Sequence, residues 1–176
     1  EQGGISPDFM CLSKGLTGGF LPLSAVLTTE QIFERFLSPQ RSRGFLHSHS
    51  YTGNPLGCAA ALASLAIFSS DDVINNNQKT AEHLRVLSTQ LAAHPNIAQV
   101  RQTGMIVAFE MSQIDKTPFP SEQRRGLHAY RSGLTQGAVL RPLGDVLYWM
   151  PPYCISASEC EFLYNATTIA IDEACA

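Results

Sequence analysis

PDFMCLSKGLTGGFLPLSAVLTT, residues 7–29, is where the reading of this chain begins. An apolar run, Phe9 to Leu12, stops abruptly at Ser13 and Lys14, and three glycines, Gly15, Gly18 and Gly19, follow. A second apolar run, Ser24 to Leu27, then resumes. Two short buried strands joined by a glycine turn explain the pattern, because glycine adopts turn conformations that other residues resist. Lysine is costly to bury. At the end of a buried strand its amine can be partly desolvated, which is what a nucleophilic, imine-forming lysine requires. Residue chemistry leaves a second reading open, a lysine snorkelling to solvent from the strand end. A phosphate-binding GxxxxGK[ST] loop is excluded, since Lys14 precedes the glycines.

Composition narrows the classes. The 176 residues are 44% hydrophobic and 15% charged with a net charge of −3, a core-forming balance without the basic run that nucleic acid would call for. Cys11, Cys58, Cys154, Cys160 and Cys175 are odd in number and form no CxxC pair. Free buried thiols in a reducing cytosol fit them, and a zinc site does not. The most apolar run, Leu56 to Phe68, is too short for a bilayer and contains Gly57 and Ser64, so no membrane partner is expected. No secretory signal opens the chain; EQGGISPDF, residues 1–9, reads as the interior of a domain, and the chain is expected to be part of a longer polypeptide.

Further along, TTEQIFERFLS (28–38) predicts a helix capped by Thr29 with Ile32, Phe33 and Phe36 on one face. RSRGFLHSHSYTGN (41–54) is a polar loop, and PLGCAAALASLAIF (55–68) a helix opened by Pro55 that is apolar all round, hence buried on most sides. SSDDVINNNQ (69–78) interrupts the apolar pattern, and the domain boundary is placed there, between residues 1–71 and 72–176. Ala81, Leu84, Leu87 and Leu91 mark an amphipathic helix ended by HPN. IAQVRQTG and MIVAFEM pair around Gly104, and SEQRRGLHAYRSGLTQG forms a helix capped by Ser121 and closed by Gly137. AVLRPLGDVLYWMPP turns as a hairpin at PLGD, and Ser158 with Glu161 has capping-box spacing for a last helix. No internal repeat is visible.

Three segments, in this order, resemble the class III pyridoxal-phosphate aminotransferases. PDFMCLSKGLTGGFLPLSAVLTT resembles their cofactor-lysine segment, FLHSHSYTGNPLGCAAALASL (45–65) their phosphate loop and the helix behind it, and GAVLRPLGDVLYWMPPYCIS (137–156) their substrate-carboxylate segment. The wordings LSAVLTT and RPLGDVLYWMPPY are most similar to the biotin-synthesis members. The resemblance implies an α/β fold of the fold-type I pyridoxal-phosphate transferases: the later part of the large cofactor domain in residues 1–71, then a connector helix and small α+β domain in 72–176.

It also implies roles for single residues. Lys14 falls on the lysine that holds the cofactor covalently and moves a proton between substrate and cofactor. Ser50 falls where the family has a threonine hydroxyl on the cofactor phosphate, with His49 beside it; Ser48 and His49 replace the commoner glycine-proline. That loop serves the partner subunit's cofactor, so the resemblance implies a homodimer with a shared site. On residue chemistry alone, Ser50 serves equally as a turn or helix cap. Arg141 falls on the arginine that grips the substrate carboxylate, a task suited to its planar fork; Tyr148 would line the same pocket, and Trp149 and Tyr153 would pack the small domain. His47 and His49 share a face if extended, but no third ligand lies near, and no metal is expected. The implied reaction is transfer of an amino group from S-adenosylmethionine to 8-amino-7-oxononanoate in a cytoplasmic enzyme. Alternatives are another class III ω-aminotransferase, or a non-catalytic dimerisation fragment. The family's pyridine-binding aspartate, ring-stacking aromatic and glycine-serine turn lie upstream of the matching segments, and Asp8 falls on none of them, so these residues alone are not expected to transaminate.

Overall fold

A computed structural model describes residues 3–176; residues 1 and 2 of the opening stretch lie outside them. The chain divides into two compact units, Glu1–Val73 and Ile74–Ala176. In the first, β1 (Phe9–Leu12) and β2 (Ala25–Thr28) pair antiparallel, Phe9 opposite Thr28 and Leu12 opposite Ala25. The hydroxyl of Thr28 donates to the carbonyl of Asp8 at 2.9 Å and closes the open end of the pair. The strands exist where the apolar runs predicted them, displaced by one residue in β2, but they are not the buried strands expected: Phe9, Met10, Val26 and Leu27 are exposed.

The helix expected over 28–38 is only one turn, α1 (Glu30–Phe33); Thr29 stands at its N-cap with no side-chain bond, and Phe33 and Phe36 are exposed. Phe36 meets the Phe45 ring at 5.8 Å, but the face stays largely exposed, and propensity alone does not sustain a longer helix; Pro39 disfavours helical backbone at Ser38. α2 (Pro55–Ser70) starts as expected: Asn54 Oδ1 accepts the Leu56 N–H at 2.9 Å and Pro55 occupies the first turn. Its burial differs from the expectation. Gly57 and Ala61 are its buried residues, whereas Leu56 is 68%, Leu62 68% and Leu65 54% exposed. The small-residue stripe is what packs closely, and Gly57 lets Leu23 approach to 3.5 Å of where a Cβ would stand.

The second unit holds the core. Its helix α3 (Val73–Leu91) begins earlier than read, and the polar stretch 73–78 is helical. The break falls at Asp72, whose φ of 49° reverses the backbone; aspartate tolerates that region better than most residues. A four-stranded sheet follows in the order β3 (Ile97–Thr103), β4 (Ile106–Met111), β6 (Val146–Trp149), β5 (Pro142–Leu143), all antiparallel. The β3–β4 hairpin turns at Gly104, φ 55°, as the glycine predicted. Along β4, Val107, Phe109 and Met111 alternate inward, and along β6 Leu147 and Trp149 do the same. They meet Leu84, Leu87 and Leu91 of α3 and Ala166, Ala170 and Ile171 of α5 (Ala157–Cys175) in one cluster. Phe109 and Trp149 pack edge to face with centroids 4.6 Å apart. Trp149 is therefore the packing residue expected; Tyr153 is 55% exposed and is not, because it lies in the irregular segment before α5, outside the inward alternation of β6.

Two caps differ from expectation. Ser121 opens a 3₁₀ turn, Ser121–Gln123, and α4 (Arg125–Thr135) begins after Arg124, whose φ is 48°. The start is set by tertiary bonds: Arg125 donates to the Ala174 carbonyl at 2.6 Å and the Gly126 N–H to Asp145. The capping box of α5 is Ser156 with Glu159, two residues before the pair read from spacing; Ser158 bonds only the Ser156 hydroxyl, at 3.2 Å. At its far end α4 closes as predicted. Gly137, φ 84°, lets Ala138 N donate to Gly133 O at 2.8 Å and Gly137 N to Leu134 O at 3.1 Å, a Schellman pair.

Candidate active site

Strand β1 ends at Leu12, and Ser13 is fully extended before the chain enters a 3₁₀ turn, Lys14–Thr17. Lys14 takes a φ of 53°, a left-handed conformation that costs a non-glycine residue of order 1 kcal/mol and has to be imposed by its surroundings. Leu16 N donates to Ser13 O at 3.2 Å and Gly18 N to Gly15 O at 3.0 Å across the turn. Thr17, 2% exposed, donates to the Leu21 carbonyl at 2.5 Å and anchors the glycine loop. From α2, the Ser64 hydroxyl reaches the Gly15 carbonyl at 3.4 Å. The turn thus grips the backbone on either side of Lys14. Its side chain is exposed and makes no hydrogen bond or ion pair among the described residues. The burial expected of a nucleophilic lysine is not met among the described residues, because α2 braces the backbone of the turn and leaves the Lys14 side chain exposed.

His47, Ser48, His49 and Ser50 lie on the exposed loop before α2. His49 organises it. Its N–H donates to Thr52 Oγ1 at 3.0 Å, its Nδ1 accepts the Tyr51 N–H at 3.1 Å, and its carbonyl accepts the Thr52 N–H at 2.8 Å. The ring is committed to the turn through Nδ1. Gly53, φ 70°, then hands the chain to the Asn54 cap. Ser50, between His49 and Tyr51 at the crest, has its hydroxyl unpartnered among the described residues. His47 stacks with Phe45 at 5.7 Å, and among the described residues no three side chains of metal-ligating type come together.

In the second unit, Arg141 precedes β5. Pro142 pairs with Leu147 and Leu143 with Val146, so Arg141 and Tyr148 stand at the next step of that register. Leu140 beside it is buried at 1%, whereas the Arg141 guanidinium is exposed and unpaired among the described residues. Tyr148 alternates away from the core and opposes Ala108 of β4. It lines an open cleft of about 370 Å³ with Val139, Met150, Cys154, Glu159 and Phe162.

The model of the class-III aminotransferase family matches residues 1–171. The chain belongs to the class III aminotransferases. The chain is 43% identical over 173 residues to the adenosylmethionine-8-amino-7-oxononanoate aminotransferase of Synechococcus elongatus, covering 98% of this chain and 40% of the relative. It is 43% identical over 165 residues to the enzyme of that name from Geobacter sulfurreducens, covering 92% and 36%. The crystal structure of the Methanocaldococcus jannaschii enzyme of that name superposes with a TM-score of 0.88 at 38% identity, over 96% of this chain and 39% of that one. An (S)-enantioselective ω-transaminase from Thermomicrobium roseum superposes with a TM-score of 0.89 at 28% identity, over 98% and 39%. The chain thus spans about 40% of the length of the first of these relatives. The α/β fold expected of a pyridoxal-phosphate transferase holds.

Lys14, His49 and Ser50 belong to the first unit, Arg141 and Tyr148 to the second. Three residues escaped the sequence reading: Thr52, which completes the His49 turn; Ser64, which ties α2 to the lysine turn; and Asp145, which bonds Gly126. Ser64 had a visible signal, a hydroxyl in the middle of an apolar run. The partners of Thr52 and Asp145 are matters of tertiary placement, and no local pattern announces them.

Proposed function

We propose that the polypeptide carrying this chain is a pyridoxal-phosphate aminotransferase that moves an amino group from S-adenosylmethionine to 8-amino-7-oxononanoate, forming 7,8-diaminononanoate. The observation that carries the reading is Lys14: an exposed, unpartnered amine held at positive φ by a braced glycine turn. The residues fit the cofactor. Lys14 offers a free amine for covalent attachment, and the crest of the 49–52 turn presents the Ser50 hydroxyl for a phosphate while His49 shapes the turn. Pyridoxal phosphate, when bound, supplies the electron sink that lets an amino group leave one carbon and join another. The protein's part is positional and acid–base. Lys14 Nζ, on a flexible four-carbon stem, takes and returns the proton at the substrate carbon that bears the nitrogen. Arg141 would hold the acceptor carboxylate with its two-pronged fork, and Tyr148 would border the same pocket. Residues 1–71 are read as the later part of the cofactor domain and 72–176 as connector and small domain. A homodimer with shared sites and a cytoplasmic location complete the proposal; the exposed apolar face of α2 supports a larger assembly.

The test is borohydride reduction of the full-length protein with pyridoxal phosphate, followed by peptide mapping. A phosphopyridoxyl group on Lys14 is the expected result, and Lys14→Ala is expected to cut turnover by about 10²-fold to 10⁴-fold. An unmodified Lys14 in the full-length protein would sink the reading. Similarity to an ω-transaminase favours a second reading, transfer to ketones without a remote carboxylate. Comparing acceptors with and without that carboxylate separates the two.

A further inference from the structure

We infer that Asp145 is the positioning residue for Arg141, setting affinity for the carboxylate end of the acceptor without touching it. The inference rests on the reading of Arg141 given above. Among the described residues nothing holds the Arg141 side chain itself, so its reach is decided by the backbone that carries it. That backbone is poorly tied by its own strand. β5 is two residues long, and its first residue, Pro142, has no N–H to give to the ladder.

The turn that follows is instead clamped from three sides, and Asp145 supplies two of them. Asp145 Oδ1 accepts the Gly126 N–H at 2.8 Å, in the first turn of α4, where the helix presents unpaired N–H groups and favours negative charge. The Asp145 carbonyl accepts the Met111 N–H at 2.9 Å at the end of β4. The third contact is the seating of Gly144 against Gly126. A Cβ at 126 would lie 2.0 Å from the Gly144 carbonyl oxygen and 3.1 Å from Pro142 Cβ. Removing the Asp145 carboxylate frees the side of the turn facing α4 while leaving the Met111 bond and the sheet in place. Arg141, one residue before Pro142, then samples more positions than the one that meets a carboxylate.

The experiment uses the full-length holoenzyme and two acceptors, 8-amino-7-oxononanoate and a ketone of similar length without the carboxylate. Asp145→Ala is expected to raise KM for the carboxylated acceptor about tenfold, the worth of one hydrogen bond, and to change the other acceptor and the donor half-reaction by less than about twofold. Asp145→Asn, which keeps an oxygen for Gly126 N–H, is expected to restore most of the loss. Should Asp145→Ala fail to fold, Asp145→Glu, which displaces the carboxylate by one methylene, carries the same comparison. Equal effects on both acceptors, or none, would overturn the inference provided Arg141→Ala still weakens the carboxylated acceptor selectively. If Arg141→Ala shows no selectivity, the reading of Arg141 itself fails and the inference falls with it.

Discussion

The indole N–H of Trp149 donates to the Thr167 hydroxyl at 2.8 Å inside the core of the second unit. The Thr167 hydroxyl in turn donates to the Leu163 carbonyl at 2.7 Å, so both polar groups are satisfied in the core. The bond ties β6, the strand that carries Tyr148, to the middle of α5. Trp149→Phe keeps an aromatic ring against Phe109 but strands the Thr167 hydroxyl without its donor, at a cost of about 1–3 kcal/mol. Trp149→Ala adds a cavity and is expected to cost about 3–5 kcal/mol. Denaturant unfolding of the full-length protein checks both, and Trp149→Phe together with Thr167→Val is expected to recover part of the loss.

Ser50 stands at the crest of a turn organised by His49, its hydroxyl unpartnered among the described residues. If it meets a phosphate, the bond is charge-assisted. Ser50→Ala is then expected to weaken cofactor affinity of the apoenzyme by about 10-fold to 100-fold, and Ser50→Thr to leave it unchanged. Titration with pyridoxal phosphate, followed by fluorescence, measures this. An unaltered affinity in Ser50→Ala would leave Ser50 as a turn residue alone.

The capping box of α5 makes stability depend on acid. The Glu159 carboxylate is held below its ordinary value near 4.5, first by the Ser156 backbone N–H and then by the Ser156 hydroxyl. A carboxylate lowered in the folded state contributes stability that is full above the unfolded value and lost as pH falls through the folded one. Glu159→Gln is therefore expected to unfold more easily than the parent at neutral pH, with the gap closing below about pH 4.5. Thermal unfolding from pH 3 to pH 7 follows it; a gap independent of pH would remove the carboxylate from the account.

Thiol reactivity should sort by burial. Cys175, beside Arg125 in the last turn of α5, is pushed up to about 11 chiefly by burial, and burial also raises Cys160. The thiolate is the reactive form, so at pH 8 Cys175 presents a fraction of roughly 10⁻³ for alkylation. Iodoacetamide labelling of the native protein with peptide mapping is expected to leave both unmodified over a time that labels a free thiol completely. Rapid labelling of Cys175 at pH 8 would mean that the end of α5 opens readily.

Sequence by itself determined the local elements and the chemical candidates. Apolar runs located β1, β2 and the β3–β4 hairpin, Pro55 after Asn54 started α2, and Gly137 closed α4, because each rests on neighbours within a few residues. Lys14, Ser50 and Arg141 stood out from segments whose wording carries the family. Only tertiary structure decided where helices begin when a distant group supplies the cap. Ser121 lost α4 to Arg124 because Ala174 and Asp145 bond its first residues, and Ser158 lost α5 to Ser156. Burial was equally beyond local reading. α2 is apolar all round, yet most of its surface is exposed, since burial needs an opposing surface, and among the described residues full burial is reached at Gly57 and Ala61. The conformation of Lys14 belongs with these. A lysine after a strand does not choose a φ of 53°; the Ser13–Leu16 and Gly15–Gly18 bonds, the anchor at Thr17 and the contact from Ser64 impose it.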